Sequence, residues 1–188
     1  MKTPFFFFLL LSIVILTGSY SCKKYHPPKP DNPYGLPDAT QTGAETFACL
    51  IDGKLWIAKY VGGPTGAPDI DGIYDYRGFA VSGTTRVKDF EYLSIAVKTG
   101  KIELNRVYDL SNTALSYALM RTIGDSCFRG NGGYGGGESN TYATKGSLII
   151  TRADSVHKII SGIFSCEIPS DYCDTLKITD GRFDIRYY

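Results

Sequence analysis

The sequence predicts an all-β domain, an antiparallel sandwich or barrel, and three observations carry that prediction. Short β-prone runs recur from Thr46 onward, with Gly, Asp and Asn clustered between most of them. The pair Asp52-Gly53 stands between two such runs, which is the strongest short-range hairpin signal because both central positions of a type I′ turn need positive φ. Pro64, Pro68 and Pro169 all fall outside the runs, as a hydrogen-bonded ladder requires.

Ahead of that domain, residues 1–21 have the layout of a secretory signal: Lys2, an apolar run from Phe5 to Leu16 broken only by Ser12, then small polar residues around Tyr20. A membrane-spanning helix needs about 20 apolar residues to cross a core of roughly 30 Å, and this run is shorter. Ser19-Tyr20-Ser21-Cys22 resembles the box at which bacterial lipoproteins are acylated and cleaved. The resemblance implies that Cys22 is the lipidated mature N-terminus and holds the protein on a membrane. Each buried methylene contributes roughly 0.8 kcal/mol, and two chains suffice for stable anchoring. Tyr20 is bulkier than that pattern prefers, and ordinary signal-peptide cleavage is the alternative.

Residues 22–43 read as the lipidated cysteine and a tether. Pro27, Pro28, Pro30, Pro33 and Pro37 leave almost nothing apolar to bury, so the chain is expected to be extended, reaching up to roughly 60 Å at about 3.1 Å per residue. Surface-exported lipoproteins of the Bacteroidota, which the start resembles, tend to be acidic after the cysteine. Lys23 and Lys24 are basic, so the expectation is an outer-membrane-anchored protein on the periplasmic face.

The domain itself is expected over residues 44–188, one unit with a core of ordinary size. Thr46–Ile51 and Lys54–Ala58 flank the hairpin turn; counting outward sets Cys49 opposite Trp56 and Phe47 opposite Ala58, with Phe47, Cys49 and Trp56 sharing the core face. Gly62–Gly72 reads as a loop. Within it Asp69-Ile70-Asp71-Gly72 has the beginning of a calcium pattern, but Ile73 and Ala80 stand where oxygen ligands are needed. Further strands are expected at Tyr74–Ser82, Phe90–Lys98, Lys101–Leu110, Thr141–Thr151, His157–Cys166, Thr175–Thr179 and Phe183–Tyr187. In Leu115–Arg121, Leu115, Ala118 and Leu119 fit a helical face, whereas Leu115, Tyr117 and Leu119 fit one face of a strand; we read it as a strand. Gly130, Gly132 and Gly135 spell G-x-G-x-x-G. A dinucleotide site needs a helix directly after that motif, whereas residues 138–144 read as more loop and then strand.

Cys49, Cys127, Cys166 and Cys173 remain for pairing in an oxidising compartment. Cys166 and Cys173 flank what reads as a hairpin loop, so they are expected to pair, leaving Cys49 with Cys127; buried free thiols are the alternative. No pair has C-x-x-C spacing and His26 and His157 are the only histidines, so neither a metal nor a cofactor is expected. Without residues 1–21 the 20 Lys and Arg lose Lys2, leaving 19 against 19 Asp and Glu. No basic stripe exists for phosphates, and nucleic acid is not an expected partner.

Two blocks, Thr42–Ala58 (TGAETFACLIDGKLWIA) and Ile178–Tyr187 (ITDGRFDIRY), with Ile160–Phe164 between them, resemble a family of small Bacteroidota lipoproteins classed as a domain of unknown function. The resemblance implies an all-β lipoprotein and carries no catalytic residues over.

Nucleophilic hydrolysis needs an imidazole base, and only His157 lies in the domain, in an expected strand. A carboxylate-based hydrolase is the remaining enzymatic alternative, although Asp52 and Asp180 precede glycines and read as turn residues. The surplus is aromatic, with 14 Tyr including Tyr74, Tyr76, Tyr92, Tyr108, Tyr117, Tyr134 and Tyr142. Tyrosine suits half-buried strands and ligand platforms alike. Tyr134, between glycines, is the first candidate for ligand contact. The expected function is a non-catalytic envelope role through a protein or glycan partner, with a ligand-binding module for glycan, peptide or apolar molecule as the alternative.

Overall fold

A computed structural model describes residues 32, 34–59, 70–86, 90–123, 127 and 138–188. Its strands are β1 (Thr46–Ile51), β2 (Lys54–Ile57), β3 (Ile70–Asp75), β4 (Gly78–Arg86), β5 (Phe90–Val97), β6 (Val107–Asp109), β7 (Ser116–Ile123), β8 (Glu138–Tyr142), β9 (Lys145–Asp154), β10 (Ile159–Ile168) and β11 (Leu176–Arg186). They form a six-stranded sheet ordered β2-β1-β11-β10-β9-β6 and a five-stranded sheet ordered β3-β4-β5-β7-β8. The expected antiparallel all-β fold is therefore a two-sheet sandwich and not a closed barrel. Among the described residues no helix is long and apolar enough to cross a membrane.

The first hairpin forms as its chemistry dictates. Asp52 and Gly53 both hold positive φ, at 49° and 75°. Cys49 pairs with Trp56, and the Ala58 amide donates to the Phe47 carbonyl at 2.9 Å. Phe47, Cys49 and Trp56 enter the core with Phe79, Val81, Leu93, Ile95, Leu148, Ile150, Ile160 and Phe183. Phe47 meets Trp56 edge-on at 5.5 Å, an arrangement the ring quadrupoles favour. The sheets approach so closely at Gly83 that a Cβ there would lie 2.5 Å from Cβ of Ala58.

Several expectations are corrected. β11 is one strand where two were expected. Thr179 pairs with Leu50 but Arg182 with Ala48, so Asp180-Gly181 is a bulge, and Asp180 adopts φ 52° inside a strand and not at a hairpin turn. Of Lys101–Leu110 only Val107–Asp109 is strand, pairing with Ile149, Leu148 and Ser147 of β9. His157 lies in the turn before β10. β7 is a strand, yet Ser116, Ala118, Met120 and Thr122 are its buried row, while Leu115 is 61% exposed. The disulfide joins Cys127 to Cys173, with Cα atoms 5.2 Å apart, and Cys49 and Cys166 are buried free thiols. Cys166 faces the core from within β10, whereas Cys173 sits in the loop beyond that strand. Burial pushes the Cys166 thiol up to about 12.

The compact unit runs from Tyr34 to Tyr188, so residues 34–43, expected in the tether, lie against the domain. Leu36 packs with Ala48, Leu50 and Ile57 on the outer face of the six-stranded sheet. The chain then crosses β11 towards β9: Arg182 donates to the Pro37 carbonyl at 3.1 Å and Arg152 to the Gln41 carbonyl. Asp184, 1% exposed, fastens this strap. Its carboxylate accepts from Thr40 Oγ1 at 2.6 Å, from the amides of Thr42, Gly43 and Ala44 at 2.8, 2.9 and 3.1 Å, and from Ser161 Oγ at 2.7 Å. Burial pushes this carboxyl up, but the hydrogen bonds from Thr40, Ser161, Thr42 and Gly43 outweigh it and bring the pKa down to about 2.

Candidate ligand-binding face

Alternation along β5, β7 and β8 sorts the middle of the chain into a core row and an outward row. Leu93, Ile95 and Val97 on β5 and Ala118 and Met120 on β7 go inward. The opposite parity of the same strands carries Tyr92, Ser94 and Ala96, then Tyr117, Leu119 and Arg121, then Asn140 and Tyr142 on β8. Register brings them into rows: Tyr92 pairs with Arg121 and Arg121 with Asn140, Ser94 with Leu119 and Leu119 with Tyr142, Ala96 with Tyr117. On β4, Ala80 stands beside Ala96 and Ser82 beside Ser94.

The outcome is a floor of small side chains beside a tall aromatic flank. Ser94 and Ala96 are only 5% and 4% exposed although they point away from the core. The Tyr117 and Tyr142 rings meet edge-on at 5.5 Å. The Arg121 guanidinium lies 5.4 Å from the centre of the Tyr92 ring, and Lys98 Nζ lies 5.2 Å from that of Tyr117. Arg121 Nε donates to Asn140 Oδ1 at 2.8 Å, and Lys98 Nζ to the Thr113 carbonyl at 2.7 Å. Burial, and then the neighbouring phenols of Tyr142 and Tyr92, raise the Tyr117 hydroxyl above its ordinary value, so it remains a neutral donor at neutral pH. Such a face offers ring surface for stacking, hydroxyl, amide and guanidinium groups for hydrogen bonding, and little conformational freedom to lose on binding.

The other features singled out by sequence fall elsewhere. Tyr108 is buried in the core, Tyr74 packs on Tyr187 at 5.3 Å, and Tyr76 is exposed at the β3–β4 turn. Tyr134 and Cys22 lie outside the described residues. His157 Nδ1 is 2.9 Å from Asp154 Oδ2, and the same carboxylate accepts from the amides of Val156 and His157, so the pair closes a turn. The His157 amide, the Arg152 guanidinium and the His157 ring together hold the Asp154 carboxyl well below the ordinary range. Asp75 is lowered by Arg77, and Asp109 by Ser111. These shifts are opposite to the raised pKa a general acid needs. Among the described residues no group of three or more His, Cys, Asp or Glu is placed to hold a metal.

Two shallow grooves of about 260 and 340 Å³ adjoin on the outer face of the six-stranded sheet, sharing Ser147 and Ser165. Lys145 and Glu167 close an ion pair at 3.1 Å in one of them, and the strap's Ala39 walls the other. Neither groove gathers aromatic rings as the opposite sheet does. Tyr92, Tyr117 and Tyr142 stand out in the sequence only within a longer series, and Lys98, Arg121 and Asn140 do not stand out at all; strand parity, once β7 is fixed, is the signal that finds the last two. No family model, curated protein or solved structure matches the chain, so fold and face stand on their own geometry.

Proposed function

We propose that the protein is an exported lipoprotein, held on the outer membrane through lipid on Cys22 and facing the periplasm, whose sandwich acts as a non-catalytic glycan-binding module. The observation that supports this most is the cluster of Tyr92, Tyr117 and Tyr142 on one outward face, beside a floor of alanine and serine. Sugar rings present flat C–H faces that stack on aromatic rings and hydroxyls that pair with polar groups at their edges, and this face supplies both. The described carboxylates with lowered pKa serve turns and the strap, which is why a binding role is preferred to hydrolysis.

A glycan array probed with the domain comprising residues 34–188 tests the reading. Binding that disappears in a Tyr117→Ala, Tyr142→Ala double variant with unchanged circular dichroism supports it. An array on which parent and variant give the same signal, or none, contradicts it.

A further inference from the structure

The six-stranded sheet does not keep to the polar outer surface that strand alternation ordinarily leaves to water. Val107, Ile149 and Ile163 stand side by side in one outward row, which continues through Arg182 to Ala48 and Ile57. Val107 is 61% exposed and Ile163 43%. On the same face Leu36 packs on Ala48, Leu50 and Ile57, and two residues before it the compact unit begins at the exposed Tyr34. The chain therefore enters the domain on the face that carries the apolar row. Resting on the reading of Cys22 as lipid-bearing, we infer that this face is where the domain meets the lipid surface, which turns the tyrosine face of the opposite sheet away from the membrane.

Covalent length limits how far this face can stand from the anchor. The compact unit takes residues 34–43 out of the expected tether, so eleven residues, 23–33, separate Cys22 from Tyr34 and span at most about 40 Å. Two surfaces joined by a linker that short meet at an effective concentration of about millimolar, so a contact too weak to hold a free domain is occupied. Asp184 keeps the linker short, because its bonds to Thr40, Thr42, Gly43 and Ala44 hold the strap across β11. The side chains suit headgroups lying over hydrocarbon. Val107, Ile149 and Ile163 supply a contiguous apolar row, rimmed by Ser147 and Ser165, of the kind that marks an interaction surface. In a further outward row Lys145 and Lys177 stand on either side of Glu167, two ammonium groups to one carboxylate. Lysine stems lie along apolar surface and carry their charge to the level of lipid phosphates, where anionic headgroups attract it.

The test is lysine footprinting of residues 22–188 coupled through the Cys22 thiol to a maleimide-headgroup lipid, in vesicles of phosphatidylethanolamine and phosphatidylglycerol. The reference is the same chain capped at Cys22 with a soluble maleimide. Cys49 and Cys166 are buried and Cys127 is bonded to Cys173, so coupling goes to Cys22. An amine-reactive reagent read by mass spectrometry is expected to label Lys145 and Lys177 at least about threefold less on vesicles than in solution. Lys98, over the Tyr117 ring on the opposite sheet, is expected to label equally in both. Val107→Glu, at an exposed position, sets a carboxylate against the lipid phosphates and is expected to restore the labelling of Lys145 and Lys177. Protection of Lys98 in their place, protection of none of the three, or protection that Val107→Glu leaves untouched overturns the inference. Protection already present in the soluble chain and lost on dilution assigns the face to a second copy, and overturns it as well. Because the coupling is chemical, none of these outcomes depends on whether the cell lipidates Cys22, which fatty-acid labelling decides separately.

Discussion

Replacing Asp184 by Asn probes the strap at its fastening point. The carboxylate oxygens face only donors: Oδ2 receives Thr40 Oγ1 and the amides of Thr42 and Ala44, and Oδ1 receives the Gly43 amide and Ser161 Oγ. In one orientation Asn sets its NH₂ against the Gly43 amide and in the other against those of Thr42 and Ala44; the Ser161 and Thr40 hydroxyls can turn to accept, so one or two strap amides lose their acceptor, at about 1–3 kcal/mol each. A second magnitude comes from the titration of the parent. The folded pKa of about 2 against an ordinary 3.8 corresponds to roughly 2.5 kcal/mol of stabilisation. Because the folded value is the lower one, that stabilisation is complete above pH 3.8 and drains away as the pH falls through about 2. Urea unfolding of parent and Asp184→Asn domains at neutral pH is therefore expected to differ by about 2–4 kcal/mol, with the gap narrowing below pH 3.8 as the parent protonates. Hydrogen exchange at the amides of Thr42, Gly43 and Ala44 should rise in the variant well before that of β10. Equal unfolding midpoints at neutral pH, or a gap that does not respond to acid, would refute the assignment of Asp184 as the strap's anchor.

The cysteines give two further predictions. Replacing Cys127 and Cys173 by Ser removes a crosslink spanning 46 residues, for which chain entropy predicts a loss of about 4 kcal/mol, read as a lower guanidinium midpoint. In the intact domain of residues 34–188, thiol titration should detect two groups, Cys49 and Cys166, only after unfolding; detection of either in the native state contradicts their burial. At the far end of the chain, metabolic labelling with a fatty acid should mark the parent and spare a Cys22→Ser variant, which should also leave the membrane fraction. A variant that stays as firmly membrane-bound as the parent counts against lipid anchoring at Cys22.

What could be read from the sequence was what local chemistry decides. Asp52-Gly53 has one good conformation between two β-prone runs, and the pairing of Cys49 with Trp56 comes from counting outward. β7 shows the limit of counting: a period of two defines two faces but not which is inner, and tall residues such as Tyr117 and Leu119 lie outside while Ser116 and Ala118 face the core. The bulge at Asp180 looks like a hairpin turn because the same left-handed backbone serves both; only the neighbouring strands β1 and β10 distinguish them. Disulfide partners and the strap are non-local. Cys166 is nearer to Cys173 in sequence, but β10 turns its side chain into the core, and nothing in a proline-rich segment reveals that Asp184, 140 positions beyond Ala44, receives it. The tyrosine face was half legible: its residues were visible as a surplus, and their convergence required the order β5-β7-β8.

The most direct measurement of ligand binding on the tyrosine face is titration of the domain with its best array ligand, parent against Tyr117→Ala and against Thr179→Ala, a change in the groove of the opposite sheet. Tyr117→Ala is expected to weaken binding about tenfold or more, by loss of roughly 1.4 kcal/mol or more of stacking, and Thr179→Ala to leave it unchanged. Binding that survives Tyr117→Ala and falls with Thr179→Ala would place the site on the other sheet and contradict the assignment.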